Sequence, residues 1–393
     1  MDGGTIQPAA SADFIPLPKD ALLLTLPGRS PLAFDGSQCA EISRFEGAQI
    51  EAVAAALPPG YTRTLLPAYV ERPGCPPLPL YGYAALAWCE TGLGVAARLT
   101  DELPSWSSRT HQNAAVRAGV RRLSKALPGN TLVRQLTRCA FEYGCFTAQN
   151  AFLGQGEAAI PVSVACNAQC IGCISEQIPG EGVRAAQERV RRSPSVEEIV
   201  AVALAHLGAV PDAILSFGQG CEGEPLLAGG HIAAAMRAIR ASTAAGTLHC
   251  NTNASRPAAL AGLLDAGLQS VRVSLNSVRP AAYAAYYRPK GYDFSNVRES
   301  IRVAAERGAL LSLNLLTHPG VTDDPDEVEA FEDFLKTYPI AMVQTRTLNI
   351  DPARYFASVG RPRGRPLGMD RWLRRLRIAF PHVRVGNFTR GFG

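Results

Sequence analysis

From residue 160 onward the apolar positions recur in a fixed order. Short runs rich in Val, Ile and Leu alternate with longer stretches whose apolar residues return every three or four positions. The first pattern predicts strands and the second amphipathic helices. Strands are expected at 160–165, 212–217, 247–253, 270–277, 310–317 and 341–349. Helices are expected between them at 195–207, 231–243, 257–265, 295–307 and 326–338. The helix at 195 opens on a capping box, Ser195 with Glu198. Gly208, Gly246, Gly267 and Gly308 stand where four of the helices would end. Alternating strands and helices argue for an α/β fold on a parallel sheet. Periodicity alone allows a barrel or a doubly wound open sheet.

Several of these strands are not unbroken apolar runs, as strands buried on both faces usually are. Asn251 and Asn253, then Arg272, Ser274 and Asn276, then Ser312 and Asn314, then Gln344 and Arg346, stand two apart. Side chains two apart share a face. These polar groups are therefore expected to converge on one lumen; the alternative is a set of edge strands with a solvated face.

The flanks read differently. The first 80 residues hold twelve of the 29 prolines, which remove backbone donors and break helices. Residues 1–110 are expected to be an irregular Pro-rich region with one short helix near 48–57. Residues 111–159 are a helical segment, with helices at 111–127 and 131–143, the second capped by Thr131 and ended by Gly144. Residues 160–350 form the repeating core, and 351–393 a basic C-terminal helix and tail.

Composition narrows the class. The chain is 47% hydrophobic and 19% charged, as expected of a soluble globular protein. No stretch approaches a membrane span, and no basic segment precedes an early apolar run as a signal peptide requires. A cytoplasmic protein is expected. The net charge of +5 is uneven, because residues 361–393 hold nine Arg against one Asp. Within that tail, Trp372, Leu376 and Phe380 make an apolar stripe on a basic helix at 369–380. A nucleic acid would use such a tail, but the stripe favours a helix that caps the core.

Ten cysteines in a chain this long do not make a disulfide scaffold, and clustered ones point to metal or catalysis. Cys166, Cys170 and Cys173 are spaced C-x3-C-x2-C directly after the first expected strand. Soft thiolates suit iron and sulfur. A fully protein-ligated 4Fe–4S cluster takes four cysteines, so a set of three leaves one iron open. The competing readings are a zinc site, which lacks a fourth ligand at finger-like spacing, and three buried thiols. Cys139, Cys145 and Cys221 lack the dense spacing of a second cluster. One strand further on comes Phe217-Gly218-Gln219-Gly220-Cys221-Glu222-Gly223-Glu224-Pro225, a Gly-rich turn that lets a ligand approach the backbone.

The cysteine spacing, with Gly223-Glu224-Pro225 one βα unit later, resembles the radical S-adenosylmethionine (AdoMet) superfamily. The resemblance implies a partial (β/α)6 barrel over about 160–350 and an enzyme that uses a 4Fe–4S cluster held by Cys166, Cys170 and Cys173. It implies that AdoMet binds the open iron and is cleaved reductively to a 5′-deoxyadenosyl radical, which abstracts hydrogen from a substrate. Gly223, Glu224 and Pro225 would hold the AdoMet amino group. Ser274 and Asn276, with Asn253 and Asn314, would meet its ribose, carboxylate or adenine. The residue before the third cysteine is commonly aromatic in the family and is Gly172 here, which leaves adenine to Ile171, backbone groups or the fifth strand. Gln344 and Arg346 are candidates for substrate binding, since Arg offers a planar fork to a carboxylate or phosphate. A small-molecule or peptide substrate and an electron donor such as flavodoxin or ferredoxin are expected. An RNA-modifying enzyme and a non-enzymatic Fe–S electron carrier or scaffold are the alternatives.

Overall fold

The computed structural model describes residues 6, 8–34, 38–90, 92–103, 106, 111–210, 212–361 and 364–391. The parts of the N-terminal region and tail outside these ranges are not among the described residues.

Seven parallel strands form the central sheet. They are β1 (Glu157–Ala159), β2 (Ile214–Phe217), β3 (Thr247–Thr252), β4 (Ser270–Leu275), β5 (Leu310–Thr317), β6 (Met342–Thr347) and β7 (Arg384–Gly386). They pair in sequence order from β1 to β7. A doubly wound sheet would reverse its order at a switch point; this one does not, and it curls into a partial barrel. Helices α1 (Val196–Ala209), α2 (Gly229–Ser242), α3 (Pro257–Asp265), α4 (Phe294–Glu306) and α5 (Pro325–Thr337) cover its outer face. Local chemistry sets their starts. Ser195 and Glu198 close the capping box of α1, Asp293 and Asn296 that of α4, and Pro occupies the first position of α3 and α5. Gly267 and Gly308 follow two helix ends in the left-handed region, whereas Gly208 lies inside Val196–Ala209 and Gly246 stands four residues past Ser242.

The first strand lies earlier than its sequence pattern indicates. Ile160 still donates to Ser216 O, but Pro161 has no N–H, and Val162 and Ser163 donate instead to the Glu222 carboxylate. Residues 160–165 therefore run as an extended lead-in, and β1 is three residues long. Asn276 lies just past the end of β4, where the two-residue alternation stops. Helices at Phe146–Leu153, Pro280–Tyr287 and Pro352–Val359, and strand β7, carry too short a pattern to be seen in the sequence. The second helix of the 111–159 segment, Thr131–Glu142, is capped by Asn130, whose side chain accepts from Val133 N; Thr131 instead donates to Glu198.

The N-terminal region is β-rich rather than irregular. Ala52–Ala56 pairs antiparallel with Leu22–Leu26, so no helix forms near 48–57. Alanine favours helix in isolation, but the ladder and burial of Ala52, Ala54 and Ala55 override that preference. Among the described residues, twelve short strands in small sheets make up this region. Several side-chain contacts tie it to the barrel and tail, among them Asp101 with Arg390, Asn387 N and Phe388 N and Arg98 with Asp370. Thr62 and Thr345 share a hydrogen bond at 2.6 Å on the outside of β6. Arg29, buried, reaches Asp351 at 3.0 Å. The basic helix Met369–Ala379 buries Trp372 against Phe331, while Arg374 and Arg375 pair with Asp370 and Glu332.

Candidate active site

The loops that follow β1, β2 and β3 open on one cavity of about 520 Å³ at the C-terminal ends of the strands, where parallel barrels place their sites. Cys166 and Cys170 line it, together with Gly223, Glu224, Pro225, Asn253, Ser274, Asn314 and Arg346. Cys173 stands beside them on the same turn, its N–H donating to Cys170 O, its Sγ 3.6 Å from Ser175 Oγ and 3.8 Å from Arg189 Nη2. Besides Cys173, two expected residues are not in the lining. Asn276 is buried, and its Nδ2 donates to Ala282 O and Tyr355 Oη. Gln344 is fully buried behind the arginines, its Oε1 accepting from Arg272 at 2.7 Å and Arg346 at 3.3 Å.

The cysteine turn is held from two sides. On one side it leans on the C-terminal end of the helix Pro280–Tyr287. Gln169 N donates to Tyr287 O and Ile171 N to Tyr286 O, while Lys290 N donates to Asn167 O. Tyr286 and Tyr287 are thus the end of a helix that latches the turn. Tyr286 also fills the space next to Gly172: a Cβ there would sit 2.9 Å from its hydroxyl. Ile171 is fully buried and does not reach the cavity.

On the other side stands Glu222, which sequence reasoning missed. Its carboxylate accepts four backbone N–H groups at 2.7 Å, from Val162 and Ser163 ahead of the cysteines and from Gly218 and Gln219 in the Gly-rich turn. The signal was present, since an acidic residue inside a Gly-rich turn has bare N–H groups around it. Gly223 N and Glu224 N then donate to Ser163 O and Ala165 O, so the two loops zip together. Only glycine fits at 223, because a Cβ would lie 1.9 Å from Ala165 O.

Glu224 lines the cavity, but its carboxylate is engaged by the chain itself. Its oxygens accept from Leu226 N, Asn253 N and the Thr252 hydroxyl. Burial pushes both Glu222 and Glu224 up to about 7, against the donors that favour the charged form. The Asn253 side chain donates to Asn167 and accepts from Ser255 N. Free donor and acceptor capacity toward the cavity therefore comes from main chain near 223, Ser274, Asn314 and Arg346.

Burial also holds the Cys166 and Cys170 thiols above their usual range. Among the described residues no three Cys, His, Asp or Glu groups close around a single point as one ion would require. A cubane asks something else, one sulfur at each of three corners, and three thiols spread along one turn beside an open cavity suit it. Cys139 and Cys221 meet in the core behind the turn and reach no cavity.

Residues 160–335 match the family model described as Radical SAM superfamily. This chain carries a radical SAM domain. Enzymes of this superfamily work with a 4Fe–4S cluster and AdoMet, need a reductant, and act on a substrate. No curated protein matches the chain by sequence. Among solved structures it is similar to methylornithine synthase, at 14% identity over 68% of this chain and 73% of that one, with a TM-score of 0.42. It is similar to a radical SAM methyltransferase from Sphaerobacter thermophilus at 17% identity, over 58% and 65% of the two chains, with a TM-score of 0.39. A spore photoproduct lyase gives 15% identity, 68% and 96% coverage, and a TM-score of 0.43. Among the described residues, no helix is long and apolar enough to cross a membrane.

Proposed function

We propose that this radical SAM enzyme abstracts hydrogen from a small-molecule or peptide substrate held in the barrel cavity. The observation that carries the reading is the convergence of the cysteine turn, the Gly223 turn and the polar faces of β4, β5 and β6 on one space. Cys166, Cys170 and Cys173 would hold a 4Fe–4S cluster with one open corner, and the main chain at Gly223–Pro225 would hold the AdoMet amino group. When bound, the cluster supplies the electron that cleaves AdoMet, whose 5′-deoxyadenosyl fragment takes a hydrogen atom from the substrate.

The chain's own residues do the rest. Glu222 fixes the distance between the two ligand-bearing turns. Ser274 and Asn314 offer hydrogen bonds to a ribose, and Tyr286 and Tyr287 wall off water beside the cysteines. Excluding water and fixing one C–H bond near the reacting atom is what a site of this kind must supply. A flavodoxin or ferredoxin is the proposed donor. All ten cysteines are free thiols, which suits a reducing cytoplasm.

The test is anaerobic reconstitution with iron and sulfide, then dithionite and AdoMet, with 5′-deoxyadenosine measured. No 5′-deoxyadenosine from fully loaded protein, or zinc in place of iron, would remove the proposal. Affinity for RNA that falls steeply with salt would replace it with an RNA-modifying reading.

A further inference from the structure

The lumen below the cavity holds more positive charge than it neutralises. Arg272 and Arg346 both line the cavity. Arg272 Nη1 donates to Gln344 Oε1 and Thr389 Oγ1, each at 2.7 Å, and its Nε is buried without a partner among the described residues. Gln344 is fully buried, and its Nε2 has no partner there either. Arg346 Nη2 shares the Gln344 oxygen at 3.3 Å, and Arg346 forms no ion pair among the described residues.

The carboxylates nearby are already committed. Glu157, buried on β1, lies beside Arg272 and His249; with help from Thr389 and Ser216 they hold it below its usual range although burial opposes this. Asp101 Oδ1 accepts from Arg390 at 2.7 Å, and its Oδ2 accepts from Asn387 N and Phe388 N. Glu224 is the one acidic residue in the cavity wall, and its oxygens are taken by Thr252, Asn253 and Leu226. Arg346 is half-buried, and Glu157 and Asp101 offset its charge only in part against burial and Arg272, which makes that charge costly to keep. A ligand that brings the missing charge relieves that cost and gains a two-point fork–fork contact.

We propose that Arg346, backed by Arg272 and Gln344, forms an oxyanion subsite that receives a carboxylate or phosphate group of the substrate. The inference rests on the function proposed above, since it assigns the substrate's chemical class at that same cavity. Because Asn314 on β5 stands in register with Gln344 on β6, AdoMet affinity measured beside anion affinity is what separates this subsite from AdoMet's own carboxylate. The cysteine turn and the Gly223 turn follow β1 and β2 at one side of the sheet, whereas Arg346 is on β6 toward the other. Gln344 acts as a positioning residue, because one oxygen receiving both guanidiniums keeps them side by side. Burial and the neighbouring Arg272 push Arg346 down to about 10, which still leaves it charged at neutral pH.

The test uses reconstituted holoenzyme with AdoMet bound, at low chloride, titrated calorimetrically with malonate in one arm and inorganic phosphate in the other. Saturable binding in one arm is expected and tells which oxyanion the subsite prefers. Arg346→Gln should weaken that binding about tenfold or more, the scale of a lost charge-assisted contact. Arg346→Lys should fall between, since it keeps the charge and loses the fork. AdoMet affinity should stay within about twofold in both, a difference too small for a lost contact. The proposal is overturned if neither anion binds the wild-type protein or if the glutamine and lysine variants bind as tightly as it does. It is also overturned if AdoMet affinity falls in parallel with anion affinity. Should Arg346→Gln fail to fold, the lysine variant decides alone. Anion binding is measurable whether or not 5′-deoxyadenosine forms, so this inference and the proposed function fail separately.

Discussion

Glu222→Gln tests whether the two ligand-bearing turns are held by one carboxylate. In the wild-type protein each Glu222 oxygen accepts two backbone N–H groups at 2.7 Å. The variant keeps one acceptor oxygen and points an NH2 group at the other pair of donors. Whichever way the amide turns, either Val162 and Ser163 or Gly218 and Gln219 lose their partner. A buried donor left unpaired costs about 1–3 kcal/mol, so two cost roughly 2–6 kcal/mol, a large share of a total stability of about 5–15 kcal/mol. The measurement is urea unfolding of iron-free protein at about pH 8, where Glu222, pushed up to about 7 by burial, is ionised. Iron bound per chain after reconstitution is the second readout, and it should fall with stability. Glu188→Gln, which removes an exposed carboxylate paired with Arg138 and Arg191, should give no comparable loss. A loss below about 1 kcal/mol for Glu222→Gln, no more than one ordinary hydrogen bond, together with full iron loading, would refute the bracket.

Gly223→Ala forces a Cβ to 1.9 Å from Ala165 O and parts the two turns; AdoMet affinity and 5′-deoxyadenosine yield should both collapse. Serine at Cys166, Cys170 or Cys173 should each abolish iron–sulfur absorption after reconstitution, whereas Cys39→Ser, at an exposed position on the N-terminal strands, should retain it. Burial and Arg272 hold His249 down to about 4, so as pH falls from about 6.5 to 4 the unfolded chain takes up a proton that the folded one refuses, and stability is lost. Thermal unfolding across that window should be less pH-dependent in His249→Gln. Asp351→Ala leaves Arg29, 1% exposed, without its buried partner and removes the acceptor for Leu78 N. A loss of about 3–5 kcal/mol is expected in urea unfolding, and a value near zero would mean that Glu71 alone suffices for Arg29.

The sequence by itself determined the alternation of strands and helices, because periods of two and of three to four residues are local properties that burial enforces on each element. Cys166, Cys170 and Cys173 with Gly223-Glu224-Pro225 were legible for the same reason: close sulfur spacing and a Gly-rich turn are chemistry written within a few residues. The polar positions on β3 to β6 were legible in part, since alternate residues of a strand must share a face: Asn251, Asn253, Arg272, Ser274, Asn314 and Arg346 line one cavity, while Asn276, Ser312 and Gln344 do not. Tertiary structure alone decided the rest. The alanine-rich stretch at 52–56 became a strand because Leu22–Leu26 offered a ladder. Residues 160–165 left the sheet because Pro161 lacks a donor and Glu222 sits across the gap. Asn276 was lost to the site where β4 ends. Glu222, the latch at Tyr286 and the incompletely neutralised Arg346 are each defined by partners distant in the chain. Hydrogen bonds and charge compensation depend on what stands opposite, and only the folded chain sets that.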